Sequence, residues 1–333
     1  MRYGRYRFVL ILEDDAILPE YKGSTFRGIF GHALKKVVCA LKRQVCEGCI
    51  LSEKCVYALV FETSSISMED QSPGAGNPSE TRKTSGGIRK RIAAPPHPYV
   101  IEPPDAARTT YRRGDALDFT FLIFGSVNEY LPYFIYAFTE MGKLGIGKRV
   151  GAKRATFILD KVVSGERLVF DGREGKIRTG TFTEDISIAP LSTEAGRPGI
   201  SIRLVTPLRL KFENHFKAEL PFHVLTRAML RRVSTLLQYY GDGEPALDYR
   251  GLVERAKAIV TESSAIRWFD WKRYSNRQDQ SMLMGGMVGD VNYAGNLDEF
   301  LPIIRFCEKV HLGKQTAFGL GKIQLNPLKE DKA

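Results

Sequence analysis

The chain has 333 residues, with 49 Lys and Arg against 38 Asp and Glu, a formal charge of +11, 43% hydrophobic residues, 31 Gly, 16 Pro and 5 Cys. At roughly 100–200 residues per domain this length predicts two domains, each with a sizeable core, which excludes a disulfide-stapled miniprotein, a collagen-like fibre and a wholly disordered chain. The cationic excess predicts a positive field that draws polyanions, nucleic acid above all, against the plainer alternative of a basic surface that only serves solubility.

No run reaches the roughly 18 apolar residues of a membrane span, and the start MRYGRYRFVLILEDD turns acidic too soon for a secretory signal. An intracellular, cytoplasmic protein without a membrane partner is expected. In a reducing compartment cysteines are more often metal ligands than disulfides, and Cys39, Cys46, Cys49 and Cys55 fall within 17 residues.

In chain order, residues 6–13 predict a buried strand and 24–43 an amphipathic helix capped by Ser24 or Thr25. At 100° per residue Phe26, Phe30, Ala33, Val37 and Leu41 form an apolar stripe, with His32, Lys35, Lys36 and Cys39 on the far side. Residues 63–97 read as a flexible loop, either a solvated insertion or an RNA-facing segment carrying Arg82, Lys83, Arg89, Lys90 and Arg91. An extended piece follows at 98–104, then a strand at 117–124, a helix at 128–141, a glycine-rich basic turn at 142–154 and a strand at 155–160. Strand, helix, two strands, helix, strand is the order of a ferredoxin-like α+β sheet.

The order returns with a strand at 200–206, a helix at 221–239, a loop to about 263, strands at 265–272 and 281–289, a helix at 297–309, a glycine-rich turn at 311–322 and a last strand. YLPYFIYAFTEMGKLGIGKR and EFLPIIRFCEKVHLGKQTAFGLGK occupy the same place in the two runs, so a duplicated unit is expected. The domains are placed at 1–165 and 199–326, separated by an extra hairpin and a linker.

Cys46-x-x-Cys49, with Cys39 before and Cys55 after, supplies four soft ligands, enough for a closed structural zinc site, with an iron–sulfur cluster or metal-free thiols as the other readings. Cys307, on an apolar helix face, reads as core. The first glycine-rich turn offers Lys143, Gly145, Gly147, Lys148 and Arg149, and the second Gly313, Lys314, Gly319, Gly321 and Lys322. Permissive backbone beside cations suits a nucleic-acid backbone, ordinary tight turns being the competing reading. Neither turn is a Walker loop. Among five histidines, His32 stands one turn before Lys35 and Lys36 and is the candidate acid or base. His223 precedes Arg227 and Arg231 at four-residue steps, His311 lies in the second glycine-rich turn, and His97 and His215 receive no role. No two-metal nuclease arrangement is visible, so cleavage of RNA would proceed without a catalytic metal.

Together LPEYKGSTFRGIFGHALKKVVC, the cysteine cluster, PHPYVIEPP, GDALDFTFLIFG, LPYFIYAFTEMGKLGIGKR, MLMGGMVGDVNYAG and HLGKQTAFGLGK resemble the CRISPR-associated repeat-processing endoribonucleases, the sixth Cas protein family of the RAMP superfamily, over roughly residues 18–325. The resemblance implies tandem ferredoxin-like, RNA-recognition-motif-like domains acting on CRISPR repeat RNA, both precursor transcript and mature guide. It implies metal-independent attack of a ribose 2′-oxygen, leaving a 2′,3′-cyclic phosphate and a 5′-hydroxyl. It also places His32 as base or acid, Tyr21 as its tyrosine helper and Lys35 or Lys36 as the lysine. An effector complex or a homodimer is the further partner expected. A non-catalytic guide-RNA-binding RAMP subunit, and a redox or sensing element built on the cysteines, are the competing readings.

Overall fold

The computed structural model describes residues 1–42, 45–46, 48–63, 95–104, 108–151, 153–188, 199–210, 218–275 and 280–327. The basic positions 82–91 and His215 lie outside the described residues.

The first unit runs β1 (Arg2–Leu12), β2 (Ala16–Ile17), α1 (Gly23–Val38), α2 (Val56–Phe61), β3 (Tyr99–Glu102), β4 (Thr110–Tyr111), β5 (Ala116–Phe124), α3 (Leu131–Leu144), β6 (Ile146–Val150), β7 (Lys153–Ala155), β8 (Phe157–Ser164), β9 (Arg167–Asp171), β10 (Lys176–Ile177) and β11 (Thr183–Asp185). The second runs β12 (Gly199–Leu208), α4 (Phe222–Tyr240), α5 (Tyr249–Arg255), β13 (Val260–Ser264), β14 (Arg267–Ser275), β15 (Gln280–Ala294), α6 (Leu301–Val310) and β16 (Ile323–Pro327). At the heart of one sheet the strands lie in the order β8-β1-β5-β3, and in the other β16-β12-β15-β13, all pairs antiparallel. Counting four strands per unit, both orders read 4-1-3-2, the ferredoxin-like topology expected from the element order. The strands β9, β10 and β11 extend the first sheet, and β14 pairs with the part of β15 that runs beyond the second.

Alternation builds the first sheet. Tyr6, Phe8, Leu10 and Leu12 of β1 are buried between exposed Arg5 and Arg7 and their neighbours, and they pack with Phe119 and Phe121 of β5 under α1 and α3. Phe30 of α1 stacks on Phe138 of α3 at 4.7 Å, and Phe8 on Phe119 at 5.0 Å, so aromatic rings form most of this core. The apolar stripe of α1 is as expected through Ala33, but the helix stops at Val38 and leaves Leu41 exposed. The β-branched pair Val37–Val38 gives little propensity to continue, and Cys39 turns to extended backbone. Neither Ser24 nor Thr25 caps the start. The helix begins at Gly23 against the Phe318 carbonyl, so a tertiary contact fixes that end instead.

The duplication extends to local devices. Each second helix opens on Leu-Pro, at Leu131-Pro132 and Leu301-Pro302, after a 3-10 turn, and proline there forfeits no helical hydrogen bond. Each ends on a residue of positive φ, Gly145 (φ 75°, ψ 162°) and His311 (φ 60°, ψ 158°). The other face of the first sheet, at Tyr3, Val100, Leu122 and Phe124, shares a core with Leu236 and Leu237 of α4 and Phe306 and Val310 of α6. The helices α4 and α6 are thus covered on one side by their own sheet and on the other by the first unit.

Candidate functional site

The exposed side of α1 is the first candidate. His32 is exposed, and an added Cβ at Gly28, one turn earlier, would meet nothing within 4 Å, so the histidine borders open space. One turn later Lys36 Nζ lies 3.3 Å from Glu140 Oε2 of α3, and Lys143 Nζ lies 2.5 Å from Glu140 Oε1. One carboxylate therefore joins two lysines, one from α1 and one from the last turn of α3, into a cluster of net positive charge beside His32. The Lys143 ammonium, followed by Lys36, holds the Glu140 carboxyl below its usual range, and Glu140 in turn raises Lys143.

Lys35 faces elsewhere. Its ammonium sits 5.3 Å from the Tyr57 ring centroid; burial lowers its pKa, but the neighbouring Cys46, Tyr57 and Cys39 outweigh that and raise it. The four-cysteine knuckle expected from spacing is not formed. Cys39 closes α1, Cys46 and Cys49 span a tight turn through Cys49 N–H to Cys46 O at 3.1 Å, and Cys55 precedes α2. All four thiols are half-buried and free, and among the described residues no group of three or more His, Cys, Asp or Glu side chains is disposed to hold a metal. Cys307 is a buried core thiol.

Tyr21 and His32 do not meet. Tyr21 precedes α1 and His32 stands nine residues past Gly23, about 13–14 Å up the helix axis, and the Tyr21 hydroxyl donates to Phe318 O at 2.7 Å. That carbonyl belongs to the second glycine-rich segment, which is a wedge between the two units. A Cβ on Gly319 (φ 86°) would stand 2.4 Å from Ile101 O of β3, one on Gly321 1.8 Å from Leu312 O, and one on Gly313 2.8 Å from Arg209 O. These glycines admit protein carbonyls. His311 is fully buried, with Nδ1 3.0 Å from Leu320 O and Nε2 2.9 Å from Glu102 Oε1, while Lys322 Nζ lies 2.8 Å from the same carboxylate. Burial opposes ionisation of Glu102, but His311 and Lys322 outweigh it and hold the carboxyl at about 2. Lys314 is exposed at the rim.

The first glycine-rich segment is different: past the end of α3 it is the β6–β7 hairpin, where a Cβ on Gly147 (φ 85°) would stand 2.5 Å from Ile17 O, and Lys148 and Arg149 are exposed. On α4 Arg227 and Arg231 are exposed beside His223, whose pKa is lowered by burial, then by Arg227 and Lys257. His97 is half-buried, and burial followed by the nearby Arg27 brings its pKa down to about 4. The Arg27 guanidinium lies between the Phe61 and Phe318 rings, at 5.1 and 4.8 Å, and 3.0 Å from His97 Nε2.

Sequence reasoning did not single out Glu140, Glu102, Arg27 or the aromatic residues of β14. Glu140 carried a signal, as the one carboxylate inside an otherwise apolar helix that ends in Gly-Lys.

Two ferredoxin-like units in one chain, docked through a terminal glycine-rich wedge and carrying basic clusters, define a tandem ferredoxin-like protein of the RAMP class. Comparisons with known proteins agree. The AF_1859_N model, an N-terminal domain, matches residues 1–182, and the model of the CRISPR-associated endoribonuclease Cas6 matches residues 202–323. The AF_1859_N model covers more than half of the chain, which belongs to that family, and the match over the second unit makes it a Cas6-type protein. An uncharacterized protein of Archaeoglobus fulgidus is 26% identical over 311 residues, 91% of each chain. A structure titled Cas6 (TTHB231) product complex shares the fold at a TM-score of 0.53 and 13% identity, covering 97% of this chain and 100% of that one. Thermus thermophilus Cas6 (TTHB231) gives 0.50 and 12%, covering 97% and 98%. No helix among the described residues is long and apolar enough to cross a membrane.

Proposed function

We propose that this chain processes CRISPR precursor RNA as an endoribonuclease, with His32 as the acid or base. The observation that carries the reading is an exposed histidine bordering open space, one turn from Lys36 and its Glu140-linked partner Lys143. In this chemistry the 2′-oxygen loses its proton and attacks the adjacent phosphorus, the bond to the 5′-oxygen breaks, and that oxygen takes a proton. The ends are a 2′,3′-cyclic phosphate and a 5′-hydroxyl. His32 moves one of these protons, and Lys36 and Lys143 stabilise the charge growing on the phosphate oxygens. Lys35, set against Tyr57 and Cys46, and Tyr21, tied to Phe318, act by shaping their surroundings. Exposed Lys148, Arg149, Arg227, Arg231 and Lys314 supply sequence-independent attraction to the RNA backbone.

The test is cleavage of labelled repeat RNA in EDTA by the wild type and by His32→Ala, with a second substrate bearing a single 2′-deoxy at the cut site. Wild-type cleavage should survive EDTA and stop at the deoxy sugar, and His32→Ala should lose a factor of roughly 10²–10⁴. Wild-type-rate cleavage by His32→Ala removes the assignment. Tight binding by the wild type with no cleavage makes the chain a guide-RNA-binding RAMP subunit instead.

A further inference from the structure

From the domain junction outward, β14 carries a row of aromatic rings. The Tyr21 ring packs on Trp271 at 5.2 Å, Trp271 stacks on Phe269 at 6.0 Å with 23° between the planes, and the Arg267 guanidinium lies 5.9 Å from the Phe269 centroid. Successive strand residues alternate faces, so Arg267, Phe269 and Trp271 share one side of β14. On the other side Trp268 packs against the core of the second unit and its Nε1 donates to Asp270 at 2.8 Å. Phe269 and Trp271 are half-exposed and belong to neither core among the described residues, and Arg267 is exposed. Their strand has β15 as its pairing partner and lies outside the four-strand body of its sheet. Folding of either unit gives no reason to leave two large rings partly in water on the same side of a strand as an arginine.

We propose that Arg267, Phe269 and Trp271 form a stacking platform for unpaired nucleotides of the RNA, with Tyr21 fixing its inner end at the domain junction. Single-stranded RNA is the occupant because bases offer flat faces to aromatic rings, because a cation at the end of the row meets the phosphate or stacks in turn, and because the whole chain is positively charged. A paired helix hides those faces within its own stack. The proposal rests on the RNA-processing reading and adds to it which part of the substrate is held and by what.

The sequence contains two tryptophans, and Trp268 reports on the fold while Trp271 reports on the platform. Tryptophan emission is followed while the wild-type chain is titrated with hexauridylate and, separately, with a blunt RNA duplex. Hexauridylate should quench the emission, and the preference for single strand over duplex should persist as salt is raised, because stacking releases no counterions. Phe269→Ala, followed by emission, and Trp271→Ala, which lacks the reporter and is followed by filter binding, should each weaken hexauridylate binding about tenfold or more, with duplex binding unchanged and Trp271→Phe, also by filter binding, close to wild type. Arg267→Ala, which removes no core contact, should also weaken the single strand selectively. Wild-type hexauridylate affinity in Phe269→Ala, Trp271→Ala and Arg267→Ala overturns the platform, as does equal weakening for strand and duplex. Cleavage of repeat RNA by the wild type is scored in parallel. If it cuts repeat RNA while the platform variants bind hexauridylate normally, the platform fails alone, whereas quenching without any cleavage leaves the platform and removes the processing reading.

Discussion

Glu102 of β3 accepts a hydrogen bond from His311 Nε2 at 2.9 Å across the junction of the two ferredoxin-like units. The other ring nitrogen of His311 lies 3.0 Å from the Leu320 carbonyl oxygen, so both nitrogens are engaged inside the protein. Its backbone lies in a region that L-residues rarely adopt, where the first unit has Gly145, at a cost of about 1–3 kcal/mol. The two side-chain bonds offset that strain. Glu102→Gln is therefore expected to lower stability. The Glu102 carboxyl titrates at about 2 in the folded protein against an ordinary value of 4.5. Its contribution, on the order of 3 kcal/mol, is complete above pH 4.5 and disappears as pH falls through the folded value. Urea unfolding of the wild type and Glu102→Gln should show a gap near neutrality that narrows progressively between about pH 4.5 and 2.

Gly319 should tolerate no side chain. Its φ of 86° and the 2.4 Å that would separate a Cβ from Ile101 O act in the same direction, and the obstacle is backbone that cannot rotate away. Gly319→Ala is expected to cost on the order of 2 kcal/mol or more. Gly28 is the contrast: it sits inside α1 with open space around it, and Gly28→Ala should add roughly 0.5–1 kcal/mol. Thermal unfolding of the two variants should shift in opposite directions.

The element order of the first unit was legible because period-2 and period-3.6 patterns report which face is buried; in the second, the stretch read as a loop to about 263 holds α5 and β13, a strand exposed along its length that leaves no such pattern, and the expected strand at 265–272 is β14, outside the four-strand body. The role of the two glycine-rich segments was not legible. A Gly-x-Gly-Lys run shows that backbone is left uncovered, but a phosphate oxygen and the Ile101 carbonyl make the same demand for a missing Cβ. Chain order cannot tell which of them arrives. The same limit applies to Cys39, Cys46, Cys49 and Cys55: spacing counts thiols, whereas convergence depends on where α1 stops, and α1 stops at Val38. His32, Lys36 and Lys143 were each visible in the sequence, but their grouping depends on Glu140, since the pairing of α1 with α3 is a tertiary fact.

Arg232 holds the end of α6 from inside the protein. It is buried, donates from Nη2 to Val310 O at 2.7 Å and from Nε to His311 O at 3.1 Å, and lies 5.7 Å from the centroid of Phe124 in the first sheet. Burial lowers its pKa to about 10. Those last carbonyls of α6 have no helical partner, so removing the guanidinium leaves buried acceptors unsatisfied. Arg232→Ala should cost about 3 kcal/mol, read as a lowered denaturation midpoint. Arg232→Lys, with one ammonium in place of the fork, should recover only part of it.

Glu140 moderates the basic cluster beside His32, and its removal should strengthen RNA binding while changing cleavage separately. With the carboxylate in place Lys36 and Lys143 share an anion already present in the protein. In Glu140→Gln both ammoniums are released and one negative charge is lost, so the affinity for repeat RNA should rise and its salt dependence steepen by about one further phosphate contact. Stability should change little, because the pairs involve lysines with largely exposed side chains, 61% and 68%. Cleavage is the discriminating readout. If the carboxylate also fixes the two lysines beside the scissile phosphate, the single-turnover rate should fall although binding improves, since stabilisation of the developing charge depends on donors already in position. Filter binding across a salt series, together with single-turnover cleavage, separates the two effects. An unchanged salt slope would show that Lys36 and Lys143 do not contact the RNA.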